Sequence, residues 1–257
     1  MEHSVESAFE TFIAGMDGPF VFSVEHASNR VPAPLTTTPN DLPWLTTHWA
    51  LDIGCHELVR QLTLGTSSCS VMARFSRLVC DPNRHRNRHD FVVASVEEYP
   101  LSFNKHIDEL EVIRRIADYY NPFHDAFDAL ITRRKKHLRP FALISVHSFT
   151  PVWNHNVRTM DVGVLYDQCA PLAADLTEAL RNQGFYVEHN EPYSGRFGLM
   201  YSVERQGERH QIPYLELEFN QAILCSPERI NAVSRRVLTA LAEINVGDAR
   251  YRFAASS

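Results

Sequence analysis

Apolar positions along the chain fall into two patterns. Short runs rich in β-branched and aromatic residues, at 19–24, 70–74, 78–80, 141–146, 162–166, 186–188 and 214–219, predict strands. Several are apolar throughout rather than alternating, which fits strands covered on both faces. Elsewhere apolar residues recur at helical spacing. Ile107, Leu110, Ile113, Ile116 and Ala117 predict a helix from a cap at Ser102 to about residue 138, broken or kinked at Pro122. Two more helices are predicted at 170–183, stopped by Gly184, and from 227 to about 244, capped by Ser226. This alternation predicts an α/β chain with a mostly parallel sheet sandwiched between helices. Ligands of such sheets collect beyond the carboxyl ends of the strands, where His26, Asp81, His147 and Glu218 should fall.

Composition narrows the class. With 257 residues, 44% hydrophobic and 22% charged, the chain can bury a substantial core and reads as one domain over residues 1–257, without repeat or linker. The first 16 residues carry Glu2, Glu6 and Glu10 and no basic segment, and no apolar run reaches the roughly 18 residues of a membrane span. The expectation is a cytoplasmic protein without a membrane partner. The cysteines at 55, 69, 80, 169 and 225 are odd in number, scattered and without a CxxC pair, so they read as reduced and mostly buried. A net charge of −6 argues against a general nucleic-acid binder.

Candidate chemistry sits where the apolar runs end. His26 follows one strand pattern and His147 another, each succeeded by small polar residues. Strand-end histidines suit a metal, although an ordinary loop histidine is the alternative for either one in a chain with 13 of them. A catalytic zinc takes a third protein ligand. Asp52, an acid among apolar neighbours at the head of a helical pattern, is the best candidate; taken alone it reads sooner as a helix cap or first-turn acid. Between the histidines runs Asp81-Pro82-Asn83-Arg84, whose guanidinium fork and amide suit a substrate carboxylate.

Arg74, Arg77, Arg84, Arg86 and Arg88 form a basic island that fits an anion pocket, a phosphate or RNA contact, or a solvated turn. Arg84, which Asp81 and Asn83 can orient, favours the pocket, whereas Arg86 and Arg88 read as surface charges. No aromatic residue interleaves the cations, which weakens the RNA reading. In Leu215-Glu216-Leu217-Glu218 the acids share one side of a strand. Glu216 alone reads as a solvated face, and Glu218, nearer the carboxyl end, as a general base. Residues 190–195 form a turn by composition.

In this order Glu25-His26-Ala27-Ser28-Asn29, Asp52-Ile53-Gly54, residues 77–84, Val146-His147-Ser148, residues 190–195 and residues 216–220 resemble the N-formylglutamate amidohydrolase family, over about residues 19–245. The Asp-x-Asn-Arg element is also similar to that of zinc carboxypeptidases and aspartoacylase, whose Asn-Arg pair grips a substrate carboxylate. The resemblance implies a three-layer α/β/α fold of the phosphorylase/hydrolase-like kind around a mixed, mostly parallel sheet. It implies zinc-dependent hydrolysis of the amide of a small N-formyl or N-acyl amino acid such as N-formylglutamate. Carried over by motif, His26 and His147 become zinc ligands, Asn83 and Arg84 the carboxylate clamp, Arg77 and Tyr193 further substrate contacts, and Glu218 the base. Carboxypeptidases place a glutamate three residues after the first histidine; Asn29 stands there, so Asp52 is assigned as third ligand. That departure keeps one rival open, a non-catalytic binding protein for small carboxylates, and the basic island keeps a second, an RNA-contacting module through Arg74 to Arg88.

Overall fold

The computed structural model describes residues 7–252. The expectations for residues 1–6 and 253–257, including part of the first 16 residues and both ends of the domain, lie outside the described residues. In chain order the elements are β1 (Phe9–Ile13), β2 (Phe20–Val24), α1 (Cys55–Gly65), β3 (Cys69–Ala73), β4 (Ser95–Val96), β5 (Tyr99–Pro100), α2 (Glu109–Arg115), α3 (Asn121–Lys135), β6 (Ala142–Phe149), β7 (Val152–Trp153), β8 (Asn156–Val157), β9 (Val162–Leu165), α4 (Ala170–Asn182), β10 (Val187–His189), α5 (Tyr201–His210), β11 (Tyr214–Asn220) and α6 (Pro227–Ala242).

Seven strands form one sheet in the order β1-β3-β2-β6-β11-β9-β10, while β4-β5 and β7-β8 are small hairpins. The central strands β3, β2, β6 and β11 run parallel; β1 is antiparallel to β3 at one edge, and the β9-β10 pair runs against β11. The sheet is therefore mixed and mostly parallel. Helices cover both faces. Phe22, Val24, Ile144, Val146, Leu215 and Leu217 pack against α1, α4 and α6, and Val21, Val71, Leu143 and Tyr214 against α3 and α5. Each such apolar side chain, fully removed from water, contributes about 1.5–3 kcal/mol.

The same alternation places polar groups. Residues at Val21 parity in β2, Leu143 parity in β6 and Tyr214 parity in β11 face the α3/α5 side, and towards the carboxyl ends of these strands they change from apolar to Ser23 and Glu25, Ser145 and His147, Glu216 and Glu218. Register aligns them: Ser145 lies opposite Ser23 and Glu216, and His147 opposite Glu218.

The structure corrects two predicted elements. Residues 78–80 are a buried turn, not a strand. Side chains take the backbone bonds a neighbouring strand would have made: Asn104 Nδ2 donates to the Leu78 carbonyl (2.7 Å) and Arg115 Nη1 to that of Val79 (2.8 Å). The long helix from Ser102 is instead a 3-10 turn over 102–104 and, from Glu109, a run of α2, a π-helical stretch and α3. Ser102 donates its backbone N–H and hydroxyl to Asp41 and opens only a 3-10 turn, and Asp108 caps α2 by accepting from the Glu111 N–H at 2.8 Å. A π-helical stretch over Ile116–Tyr120 then precedes Pro122, which stands in the first turn of α3. Proline brings no N–H and crowds the carbonyl four residues back, so the wider turn sits where the α ladder would fail. The patterns predicted neither β1 nor α5, and α1 is the helix of the pattern headed by Asp52. Cys55, Cys69, Cys80 and Cys169 are buried free thiols and Cys225 is exposed. No helix among the described residues is long and apolar enough to cross a membrane.

Candidate metal centre and active site

The carboxyl ends of β2 and β6 bring His26 and His147 face to edge, with ring centroids 4.8 Å apart. Asp52 joins them from the turn before α1, fixed by its own N–H donating to the His26 carbonyl at 2.9 Å. It does not cap that helix. Gly54 is the cap residue, in the left-handed region at φ 84°, where an added Cβ would lie 2.6 Å from the Leu224 side chain.

Three atoms that could hold a metal ion converge. Asp52 Oδ2 lies 2.8 Å from His147 Nδ1 and 3.3 Å from His26 Nδ1, and the two Nδ1 atoms are 3.1 Å apart. Ligands on a tetrahedral zinc with bonds of about 2.0–2.1 Å stand roughly 3.3 Å from one another. The cluster matches that spacing and is buried. The far ring nitrogens complete the pattern. His26 Nε2 meets Asp81 Oδ1 at 2.8 Å, and His147 Nε2 meets Glu25 Oε2 at 3.1 Å. A carboxylate on the outer nitrogen turns the inner one, lone pair forward, towards a metal.

Those carboxylates are themselves held. Arg77 Nη2 donates to Asp81 Oδ2 at 2.6 Å and the Asn83 N–H to Asp81 Oδ1 at 2.8 Å; Ser145 Oγ donates to Glu25 Oε2 at 2.6 Å. Burial would raise the Glu25 pKa, but the hydrogen bond and charge of His147 outweigh it and hold the group down at about 2. Burial alone would discharge His147, yet Glu216, Asp52 and Glu25 push its pKa well above the usual histidine range. Such a cluster favours positive charge at its centre.

Glu218 behaves oppositely. Burial, with the charges of Glu216 and Asp52, raises its pKa well above the ordinary carboxylate range, and its buried Oε2 finds no partner among the described residues. Glu216, expected on a solvated face, is also buried, accepting from Asn83 Nδ2 at 3.3 Å.

Above these groups opens a cavity of about 330 Å³ that every predicted site residue lines: His26, Asp52, Arg77, Asn83, Arg84, His147, Tyr193 and Glu218. Asn83 is tied into the protein. Its Nδ2 donates to the Leu199 carbonyl at 3.0 Å and its Oδ1 accepts from the Ser202 N–H at 2.9 Å, joining the loop to the start of α5. Arg84 donates to Asp90 at 3.3 Å and to the Asn83 carbonyl at 3.1 Å. Arg74, Arg86 and Arg88 are not part of the lining, and Arg88 instead grips Asp90 at 2.7 Å. Sequence reasoning gave Glu25 no role and set Asp81 only beside Arg84. The missed signal was parity, because Glu25 continues the alternation of Val21 and Ser23 that faces the α3/α5 side.

No curated protein matches the sequence. Among solved structures, a gene product of Agrobacterium tumefaciens is similar at 25% identity with a TM-score of 0.84, covering 93% of this chain and 95% of that one. An N-formylglutamate amidohydrolase from Ralstonia eutropha shares the fold at 18% identity with a TM-score of 0.73, covering 93% and 97%. The family model described as N-formylglutamate amidohydrolase matches residues 18–225, from the start of β2 past the end of β11, and so takes in every element that builds the cavity floor. The chain belongs to the N-formylglutamate amidohydrolase family, hydrolases that act on amides.

Proposed function

We propose that this protein hydrolyses the amide of an N-formyl or N-acyl amino acid with a divalent metal, zinc by its donor set, held by His26, Asp52 and His147. The observation that carries the reading is the convergence of two imidazole nitrogens and one carboxylate oxygen, each 2.8–3.3 Å from the next, with carboxylates on both outer nitrogens. Neutral imidazoles and a carboxylate are ligands zinc accepts. When bound, the ion would supply Lewis acidity, which brings the pKa of water from about 15.7 to near 7.

The chain's own groups do the rest. Glu218 Oε2, buried and without a partner among the described residues, takes the proton of the attacking water and returns it to the leaving nitrogen. Its raised pKa suits the second half of that task, because an acid that holds its proton near neutrality can also release it. Arg77, anchored by Asp81, lies with Nη1 3.9 Å from Asp52 Oδ1 and is positioned to stabilise charge developing on the carbonyl oxygen. Arg84, carried by the Asp-x-Asn-Arg loop, binds the substrate carboxylate, and Tyr193 also lines the cavity. Asn83 sets the position of Arg84 through its bonds to Leu199 and Ser202.

Two measurements test the reading. Purified without chelator, the protein should hold about one divalent ion per chain, and exchange of His147 for alanine should abolish that binding. A panel of N-formyl, N-acetyl and N-succinyl amino acids, assayed with and without added zinc, should reveal metal-dependent release of the free amino acid. A protein that binds no metal and turns over no member of the panel refutes the proposal.

A further inference from the structure

The cavity has two halves of different chemistry. Its floor carries the histidines and acids, and its outer wall is apolar and aromatic, with Trp49, Phe149, Trp153, Val93 and Leu199. The rings of His48, Trp49 and Trp153 pack on one another, with centroids 4.9 Å apart for His48–Trp49 and 5.7 Å for each of the other two pairs. Trp153 comes from the β7-β8 hairpin and Trp49 from the segment before α1, so two separate parts of the chain build one ring-lined surface facing the site.

Cations are scarce there. The lining has five acids, Asp52, Asp81, Asp90, Glu216 and Glu218, against two guanidiniums, Arg77 and Arg84. Each guanidinium is already paired: Arg77 with Asp81 at 2.6 Å and Arg84 with Asp90 at 3.3 Å. Burial and the nearby Arg77 lower the His48 pKa, which keeps that ring neutral at pH 7. Arg158, outside the lining, turns its charge to aromatic faces, its guanidinium carbon 5.5 Å from the centre of Tyr193, 5.6 Å from Phe149 and 5.8 Å from Trp153. With Arg84 engaged by the α-carboxylate, the lining offers a second carboxylate no free guanidinium, and burying an unpaired anion there is costly.

We infer that the substrate's amino-acid side chain is neutral and apolar or aromatic, seated against Trp49 and Trp153, so that N-acyl derivatives of residues such as phenylalanine or leucine are preferred over those of glutamate. The inference rests on the amidohydrolase reading for the reaction, while side-chain preference can be measured apart from it. The chain's tryptophans are Trp44, Trp49 and Trp153, and two of them line the cavity, so intrinsic fluorescence reports its occupancy.

On rapid mixing of the zinc-loaded protein with N-formyl-L-phenylalanine or N-formyl-L-glutamate, the initial fluorescence change should half-saturate at least about tenfold lower for the phenylalanine derivative. The ratio of kcat/KM should favour it by a similar factor, the range that one or two apolar groups supply in a hydrophobic pocket. Trp153→Ala should cut the phenylalanine-over-glutamate ratio about tenfold. Equal or tighter binding of the glutamate derivative overturns the inference whatever the turnover, and if Arg158→Ala then removes that binding, Arg158 is the second carboxylate's partner. Hydrolysis of neither compound counts against the amidohydrolase reading alone, since the binding ratio still decides the side-chain class.

Discussion

Buried acids do two kinds of work around the histidines, and single substitutions separate them. Glu218 has an unpartnered oxygen and a raised pKa, whereas Asp81 has both oxygens engaged and a pKa that burial would lift but Arg77 and His26 hold well down. Glu218→Gln keeps the shape and removes the proton acceptor. It should lower kcat by roughly 10²–10⁴-fold with metal content unchanged, and full turnover in steady-state assays would move the base elsewhere. Asp81→Asn leaves His26, Asp52 and His147, the proposed ligands, in place but weakens the hydrogen bond that orients His26 Nε2 at 2.8 Å. Loss of such an outer partner weakens metal binding by about 10–100-fold, which competition with a chelator would measure; an unchanged affinity would count against an orienting role.

At the scale of elements, the site depends on strand alternation and on close approach at the sheet's far side. In β9, Gly163 lies opposite Glu218 of β11 and Glu188 of β10, and a Cβ there would come 1.9 Å from the Glu191 carbonyl oxygen. Any side chain must push away the 190–195 loop that carries Tyr193 to the cavity. Gly163→Ala should therefore cost about 1–3 kcal/mol, as overpacking does, and raise KM more than the alanine itself could by touching substrate. Urea denaturation beside steady-state kinetics would test both, and wild-type stability with unaltered KM would show that the loop gives way freely.

For the whole molecule, stability should follow pH through a histidine that is not itself one of the proposed metal ligands. His124 in α3 is buried against Tyr120, with centroids 4.4 Å apart, and its Nε2 bonds the Pro82 carbonyl at 3.1 Å. Burial and the charge of Arg205 push its pKa down to about 3 from 6.5. Between those values the unfolded chain binds the proton and the folded one does not, so stability falls as pH drops below 6.5, by up to about 1.4 kcal/mol per pH unit. Urea midpoints at pH 7.5 and 5 should differ more for the wild type than for His124→Gln; equal differences would mean that His124 does not couple folding to pH.

Much of this protein was legible along the chain. The apolar runs marked β2, β6 and β9 because strands covered on both faces are largely apolar, β11 showed as an alternation of leucine and glutamate, and residues at the carboxyl ends of β2, β6 and β11 line the cavity. The strand expected at 78–80 and the helix expected from Ser102 failed for a shared reason. Asn104, Arg115 and Asp41 satisfy their backbone from a distance, and no local pattern reports such partners. Sequence by itself determined the layered α/β plan and the family, which depend on periodicity and ordered motifs. Only the folded chain decided that Asp52 meets the histidines instead of capping a helix, that Glu25 and Asp81 stand behind them, and that tryptophans from separate segments wall the cavity. Each of these is a meeting of residues at least 26 positions apart, and such separations close only when the sheet brings its strand ends together.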